Sequence, residues 1–304
     1  MFKKAFTSVG IFILSVISYL PFFILYFFAD FLYFVLYYLI GYRKKVVREN
    51  LEKALPERSI AERRKIERVF FRYLASVMFE IAKMNSMSKK ELQRRVTVAN
   101  ADLIENYLQQ GRGVLVCSAH YGNWEWGTLA FGASVSQTVY PIYKPLANKM
   151  FDDWFMKMRC KFGNRMIAMR QTLRTLKETE HTPTVMAFGN DQSPRGKDVQ
   201  YWTTFLNQPS SIQLGIEKIA VKTNRPVFYI KLNYIKRGYY ALDCVPLCLN
   251  PSETKEFEIT ELHTRFLEQI IRDEPAYWLW SHRRWKHKPN VGENQSSEEG
   301  SCCD

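Results

Sequence analysis

Residues 113–125 read Gly113-Val114-Leu115-Val116-Cys117-Ser118-Ala119-His120-Tyr121-Gly122-Asn123-Trp124-Glu125. Four consecutive apolar side chains behind a glycine form the pattern of a short strand buried on both faces, without the alternation of a half-exposed one. Gly122 and Asn123 then allow the chain to turn before a helix begins. Similar apolar runs recur at 138–143, 184–188, 227–232 and 239–245, and helical periodicity occupies 150–161, 172–179, 212–222 and 259–272. Strands alternating with helices predict an α/β domain with a mixed sheet flanked by helices, in which ligands gather at the carboxyl ends of the strands.

His120 stands at such an end, with Glu125 five residues later. The H-x-x-x-x-E spacing is weak by itself, because His263 and Glu268 repeat it. Residues i and i+5 on a helix are about 140° apart, so the second pair cannot meet, and His263 reads as a surface residue of a charged amphipathic helix. His120 precedes a turn, so Glu125 can fold back onto the imidazole. A histidine oriented by a carboxylate is a general base for a substrate hydroxyl; a capping or core histidine is the other reading. The chain has no G-x-S-x-G elbow and no H-E-x-x-H pair, which disfavours a serine hydrolase and a metal site.

The chain has 304 residues, 47% of them hydrophobic, enough for a real core, and a formal charge of +13. That charge calls for an anionic partner. Residues 5–40 carry one charged side chain, Asp30, in a run of Phe, Tyr, Leu and Ile. As a helix the run would be about 54 Å long, more than a bilayer core of about 30 Å needs. It reads as an uncleaved anchor over 1–40, either one tilted span or a hairpin broken at Pro21. Immediately after it, residues 43–95 hold 16 Lys or Arg against 7 acids, a net +9. Basic residues beside an anchor attract anionic headgroups and mark the cytoplasmic side, although the same charges suit pairing along a solvated helix. Within this stretch Ile66, Val69, Phe70, Tyr73, Leu74, Val77 and Ile81 recur at helical spacing. The organisation expected is anchor 1–40, a cytoplasmic-face domain 41–288, and a polar, disordered tail 289–304. Cys117, Cys160, Cys244, Cys248, Cys302 and Cys303 form no C-x-x-C pair, and free thiols are expected.

At His120 and Glu125 the sequence resembles the lipid A late acyltransferases, which add lauroyl or myristoyl chains, within the lysophospholipid acyltransferase superfamily. Further blocks carry the resemblance: residues 139–146 (Val139 to Leu146, with Lys144-Pro145 where the family has R/K-P), Arg159 after the next helix, and Phe188-Gly189-Asn190-Asp191-Gln192-Ser193-Pro194. Others are Phe205 to Pro209, Asn224-Arg225-Pro226-Val227, and the closing Trp278-Leu279-Trp280-Ser281-His282-Arg283-Arg284-Trp285-Lys286. Lys144 departs from the more usual arginine.

The resemblance implies a glycerolipid-acyltransferase-like fold and transfer of a fatty acyl chain from a thioester, acyl carrier protein or coenzyme A, to a hydroxyl of a lipid A precursor in lipopolysaccharide biosynthesis. His120 would be the base and Glu125 its orienting carboxylate. Arg159 would bind a phosphate, with a surface ion pair to Asp152 or Asp153 as the other reading. Asp191 and Gln192 would position that arginine or a donor group, or form a plain Asx turn. His282, Arg283 and Arg284 would meet headgroups or serve the fold. No cofactor beyond the thioester co-substrate is expected. The partners would be a membrane lipid, an acyl carrier protein and an anionic membrane surface, at the cytoplasmic face of the inner membrane. Acyl transfer from coenzyme A to a phospholipid, glycolipid or amino-acid lipid is the alternative. A membrane-tethered nucleic-acid-binding or scaffold protein fits less well, since no RRM, KH or helix-turn-helix signature is present.

Overall fold

The run at 114–118 becomes the centre of the molecule. In the computed structural model, which describes residues 2–194 and 200–289, β2 (Val114–Ser118) lies in the middle of a seven-stranded sheet. The other strands are β1 (Val96–Ala99), β3 (Val139–Tyr143), β4 (Ile167–Ala168), β5 (Val185–Gly189), β8 (Val227–Lys236) and β9 (Tyr239–Cys248), in the order β1-β9-β8-β2-β5-β3-β4. All neighbours are parallel except the β8–β9 hairpin. A separate two-stranded ribbon joins β6 (Tyr201–Phe205) to β7 (Gln208–Ile212).

The mixed α/β architecture is the one expected. Both faces of β2 are buried: Leu115 and Cys117 enter the core on one side of the sheet, Val114 and Val116 the core on the other. Such a strand needs helices on both faces, and the chain supplies them. On the Val116 side lie α6 (Ala101–Gln109), α7 (Trp124–Gly132) and α8 (Lys149–Arg159). On the Cys117 side lie α10 (Gly215–Thr223) and α11 (Glu258–Asp273).

Residues 2–83 build a helical layer against this sheet. α4 (Ile60–Lys83) is its long axis, opened by a capping box in which the Ser59 side chain and Glu62 satisfy each other's backbone N–H groups. Phe70, Tyr73, Leu74 and Val77 of the expected helical stripe are buried, while Val69 faces out. Pro21 divides the apolar N-terminal run into α1 (Phe2–Ser18) and α2 (Phe22–Phe34), the latter continued by a π-helical turn at Val35–Leu39. Phe22–Leu39 is long and apolar enough to cross a membrane. The basic α3 (Lys44–Ala54) follows, its Asn50 amide donating to the carbonyls of Trp280 (2.8 Å) and His282 (3.0 Å). Cys117, Cys244 and Cys248 are buried free thiols and Cys160 is an exposed one. The expectation of a disordered tail falls on residues that, beyond Pro289, lie outside those described.

Candidate active site

Parallel register builds the site. Ser118, the last residue of β2, pairs with Gly189, the last residue of β5. Two residues beyond each strand end stand His120 and Asp191, and the register brings them side by side. Asp191 Oδ1 lies 2.7 Å from His120 Nδ1, and the His120 backbone N–H donates to Asp191 Oδ2 at 3.0 Å. The Trp278 indole N–H donates to the same Oδ2 at 3.0 Å. Three contacts on one carboxylate hold it as the anion. Burial works to raise the Asp191 pKa, but the His120 charge and these hydrogen bonds outweigh it and push it down to about 2.

The ionised Asp191 accepts from Nδ1, which fixes the tautomer and leaves Nε2 as the proton-accepting nitrogen of the ring. The imidazole is 28% exposed. Burial opposes its protonation, yet the adjacent Asp191 carboxylate holds the His120 pKa above the ordinary value. The Gln192 side-chain nitrogen lies 3.2 Å from His120 Nε2 and 3.4 Å from Nδ1.

Glu125 does not touch His120. It is buried in the first turn of α7, where it pairs with Arg159, the last residue of α8. Arg159 donates from Nε to Glu125 Oε2 at 2.8 Å and from Nη2 to Oε1, a bidentate fork. Burial disfavours the guanidinium charge, but these hydrogen bonds prevail and raise the Arg159 pKa. The expectation that Glu125 orients His120 is therefore corrected: Asp191 holds the imidazole, and Glu125 holds Arg159. The reason is local. Asn123 caps α7 by accepting from the Trp126 N–H at 3.1 Å, so Glu125 is already helical and turned away from the strand end. Arg159 also does not use Asp152 or Asp153. Asp152 accepts from the Leu146 backbone N–H and Asp153 from Lys149.

The turn itself is pinned from beneath. Gly122 has φ +57°, and a Cβ there would meet the Leu232 side chain at 2.9 Å. Buried Glu80 of α4 accepts from the Asn123 amide (2.8 Å) and the Tyr240 hydroxyl (2.7 Å), and its own carbonyl accepts from the Trp126 indole. Burial raises the Glu80 pKa, against the pull of those hydrogen bonds. From above, the Gly122 N–H donates to the Tyr277 carbonyl and the Leu279 N–H to the His120 carbonyl. Trp278 and Glu80 were not singled out by sequence. The Trp-Leu-Trp block signalled the first, and an acid within the buried stripe of α4 was the only sign of the second.

Two cavities flank β2. A narrow, mostly apolar cleft runs under α7 from Ala119 and Tyr121, the neighbours of His120, past Trp124, Gly127, Phe131 and Leu232. A tighter cavity behind Asp191 is lined by Cys117, Tyr229, His263 and Arg284. His263 is thus 3% exposed, not a surface residue. It shares the buried face of α11 with Ile259 and Leu267, four residues to either side, so its register decided its burial while the charges lay on the opposite face. Burial drives its pKa down to about 4. Arg284 is equally buried and donates to the Ser211 carbonyl at 2.8 Å, so it serves the fold and does not meet headgroups. His282 accepts from the Ser193 N–H at 3.4 Å, with its pKa lowered by burial to about 4.

Residues 1–287 match the family model described as bacterial lipid A biosynthesis acyltransferase. The chain belongs to that family. It is 22% identical over 249 residues to a lipid A biosynthesis lauroyltransferase of Escherichia coli (strain K12), covering 81% of this chain and 80% of that one. To a lipid A biosynthesis palmitoleoyltransferase of the same organism it is 24% identical over 254 residues, 83% of this chain and 81% of the other. A lipid A biosynthesis acyltransferase of Haemophilus influenzae is 23% identical over 279 residues, covering 89% and 84%. The protein is an acyltransferase of the lipid A family, and the His120–Asp191 pair at the strand ends is its candidate centre.

Proposed function

We propose that the protein transfers a fatty acyl chain from a thioester, acyl carrier protein in preference to coenzyme A, to a free hydroxyl of a lipid A precursor. It would do so at the cytoplasmic face of the inner membrane, with His120 as general base. The observation that carries this reading is the geometry of His120: Nδ1 is held by an ionised, buried Asp191, which leaves Nε2 as the basic nitrogen, with the Gln192 amide beside it and a narrow apolar cleft next to it. The apolar lining of that cleft suits an acyl chain.

In this mechanism His120 Nε2 takes the acceptor hydroxyl proton as the oxygen attacks the thioester carbon. Asp191 stabilises the imidazolium that forms. The tetrahedral intermediate collapses with loss of the thiol sulfur, to which Nε2 returns the proton, leaving an ester and a free thiol. Asp191 acts through His120 and is a positioning residue. Arg159, with Nε and Nη2 on Glu125 and Nη1 without a partner among the described residues, presents a cation for a phosphate of the lipid or the carrier. The apolar Phe22–Leu39 helix and the net +9 of residues 43–95 support a membrane setting with anionic headgroups.

The test is chemical. Deleting the gene should leave lipid A lighter by one acyl group, the wild-type gene should restore the mass, and the His120→Ala gene should not. Unchanged lipid A with a shift in phospholipid or amino-acid lipid species would replace the acceptor assigned here.

A further inference from the structure

We propose that neither N-terminal helix crosses the bilayer: α1 and α2 lie flat against a single leaflet, and the N-terminus is on the same side of the membrane as the acyltransferase site. This places the membrane contact on a specific surface, the outer faces of α1 and α2, with a lipid leaflet as its occupant.

The argument starts from Asp30, the one charged side chain in the apolar run. It sits at the middle of Phe22–Leu39, where a spanning helix would carry it to the bilayer centre. There it accepts from Arg237 of the β8–β9 turn (2.9 and 3.0 Å) and from Arg72 of α4 (3.1 Å). Above and below Asp30, α2 runs antiparallel along α4. The Tyr26 hydroxyl donates to Glu80 at 3.1 Å, and the Tyr37 ring packs on Phe71 at 5.4 Å. Both ends are fixed to the domain. Phe22 lies under the Arg95 guanidinium and 6.0 Å from the Trp126 ring. Beyond the helix, Arg43 donates to the Ser281 carbonyl at 3.0 Å. Were α2 to span, α4 beside it would span too, taking Arg64, Glu67 and Arg72 to membrane depth. Charged residues at the depth of the bilayer centre are costly and rare.

α1 is tied down along its own length. Asn148, which caps α8, donates to the Thr7 hydroxyl at 2.8 Å. At the other end Asn85 donates to the Ser18 hydroxyl at 3.2 Å, the Ser86 hydroxyl to the Ser18 carbonyl, and Lys83 to the Leu20 carbonyl at 2.9 Å. The outer faces are apolar stripes: Phe6, Phe12 and Val16 on α1, and Phe23, Phe27 and Phe31 on α2, the last three 74%, 71% and 63% exposed. A helix with one face on protein and the other bare and aromatic is suited to the headgroup and acyl boundary.

The experiment uses the full chain in sealed vesicles of phosphatidylethanolamine with a minority of phosphatidylglycerol. An N-terminal extension carrying a protease site reports one end, and labelling of exposed Glu253→Cys by a membrane-impermeant maleimide, in a background with Cys160→Ser, Cys302→Ser and Cys303→Ser, reports the domain. Expected, without detergent, is cleavage of the extension in the same vesicle population in which Glu253→Cys is labelled, together with labelling there of Tyr19→Cys at the α1–α2 bend; protection of Tyr19→Cys in that population, as in a hairpin that carries the bend to the far side, overturns the proposal. Cleavage confined to vesicles in which Glu253→Cys is protected overturns the proposal. Protein that fails to float with vesicles overturns the leaflet contact and, separately, the membrane setting. Transferase activity with soluble substrates, measured on the same samples, keeps the acyl-transfer reading independent of either result.

Discussion

His120 and His263 share a spacing to a following glutamate, and in neither does that glutamate meet the imidazole. Glu125 pairs with Arg159, and Glu268 accepts from Arg272 and the Leu206 N–H. What separates the two histidines is what the sheet brings to them. His120 receives a buried carboxylate from the neighbouring parallel strand and has its pKa raised. His263 packs into the core with no carboxylate against its ring nitrogens, and burial lowers its pKa to about 4. One imidazole is held by a carboxylate that favours its protonated form; the other is a neutral filler. Register across strands, not spacing along the chain, makes the difference.

The comparison breaks most readily at the dyad. His120→Ala should lower transfer by about a hundredfold to ten-thousandfold while the protein stays folded, since the ring is partly exposed and its loss leaves no large void. Asp191→Asn should cost a similar factor and add a signature that a merely structural role lacks. The base must be neutral to work, so activity falls as pH drops through the His120 pKa, which lies above about 6.5 in the wild type. Without the carboxylate that raises it, this acid limb should move to lower pH; a limb that stays in place refutes the pairing. Stability runs the other way. A raised histidine pKa contributes stability that is full below about pH 6.5 and is lost as pH rises through the folded value. The depressed Asp191 contributes above about pH 3.9, and that part is lost as pH falls toward about 2. Thermal melts and rates on one set of samples would show the opposing trends.

Glu125 sharpens the contrast at the next level. Because it acts through Arg159, Glu125→Gln should reduce transfer less than Asp191→Asn and leave the acid limb where it was. The double variant Glu125→Gln with Arg159→Gln should be no worse than the worse single one, a departure from additivity of about 0.5–3 kcal/mol. Additive losses would mean that Glu125 has a second target.

The strands at 114, 139, 185, 227 and 239 were legible because each is an apolar run between turn signals, and α8, α10 and α11 because their periodicity is clean. The fold hid what lacks such runs. β1 is a four-residue edge strand with half its side chains outward, β4 has two residues, and β6–β7 is a polar ribbon. At the site, His120, Glu125, Arg159, Asp191 and Gln192 do converge, but their pairing was not readable. It depends on which strand lies next to β2, and β5 reaches that place only after two intervening strands and three α-helices. Pro21 announced the break between α1 and α2; nothing in the sequence announced that Asp30 would find Arg72 and Arg237.

The smallest effect on rate should come from His263, and it tests the comparison from its other side. A surface histidine would be silent in every assay. This one lies on the buried face of α11, against the cavity behind Asp191, so removing it touches packing and not the proton path. His263→Ala should lower the stability of the folded state by about 1–3 kcal/mol, as substitutions that open a void in a core do. Activity per folded molecule at 20 °C below the melting midpoint, on the order of wild type, should be kept, and the acid limb should not move. The Nε2 atom has no hydrogen-bond partner among the described residues, so the part of the cost due to lost hydrogen bonding should be small, and His263→Leu should recover much of the loss. If His263→Ala instead shifted the acid limb as Asp191→Asn does, the cavity would be coupling His263 to Asp191, and the division between a working and a filling histidine would fall.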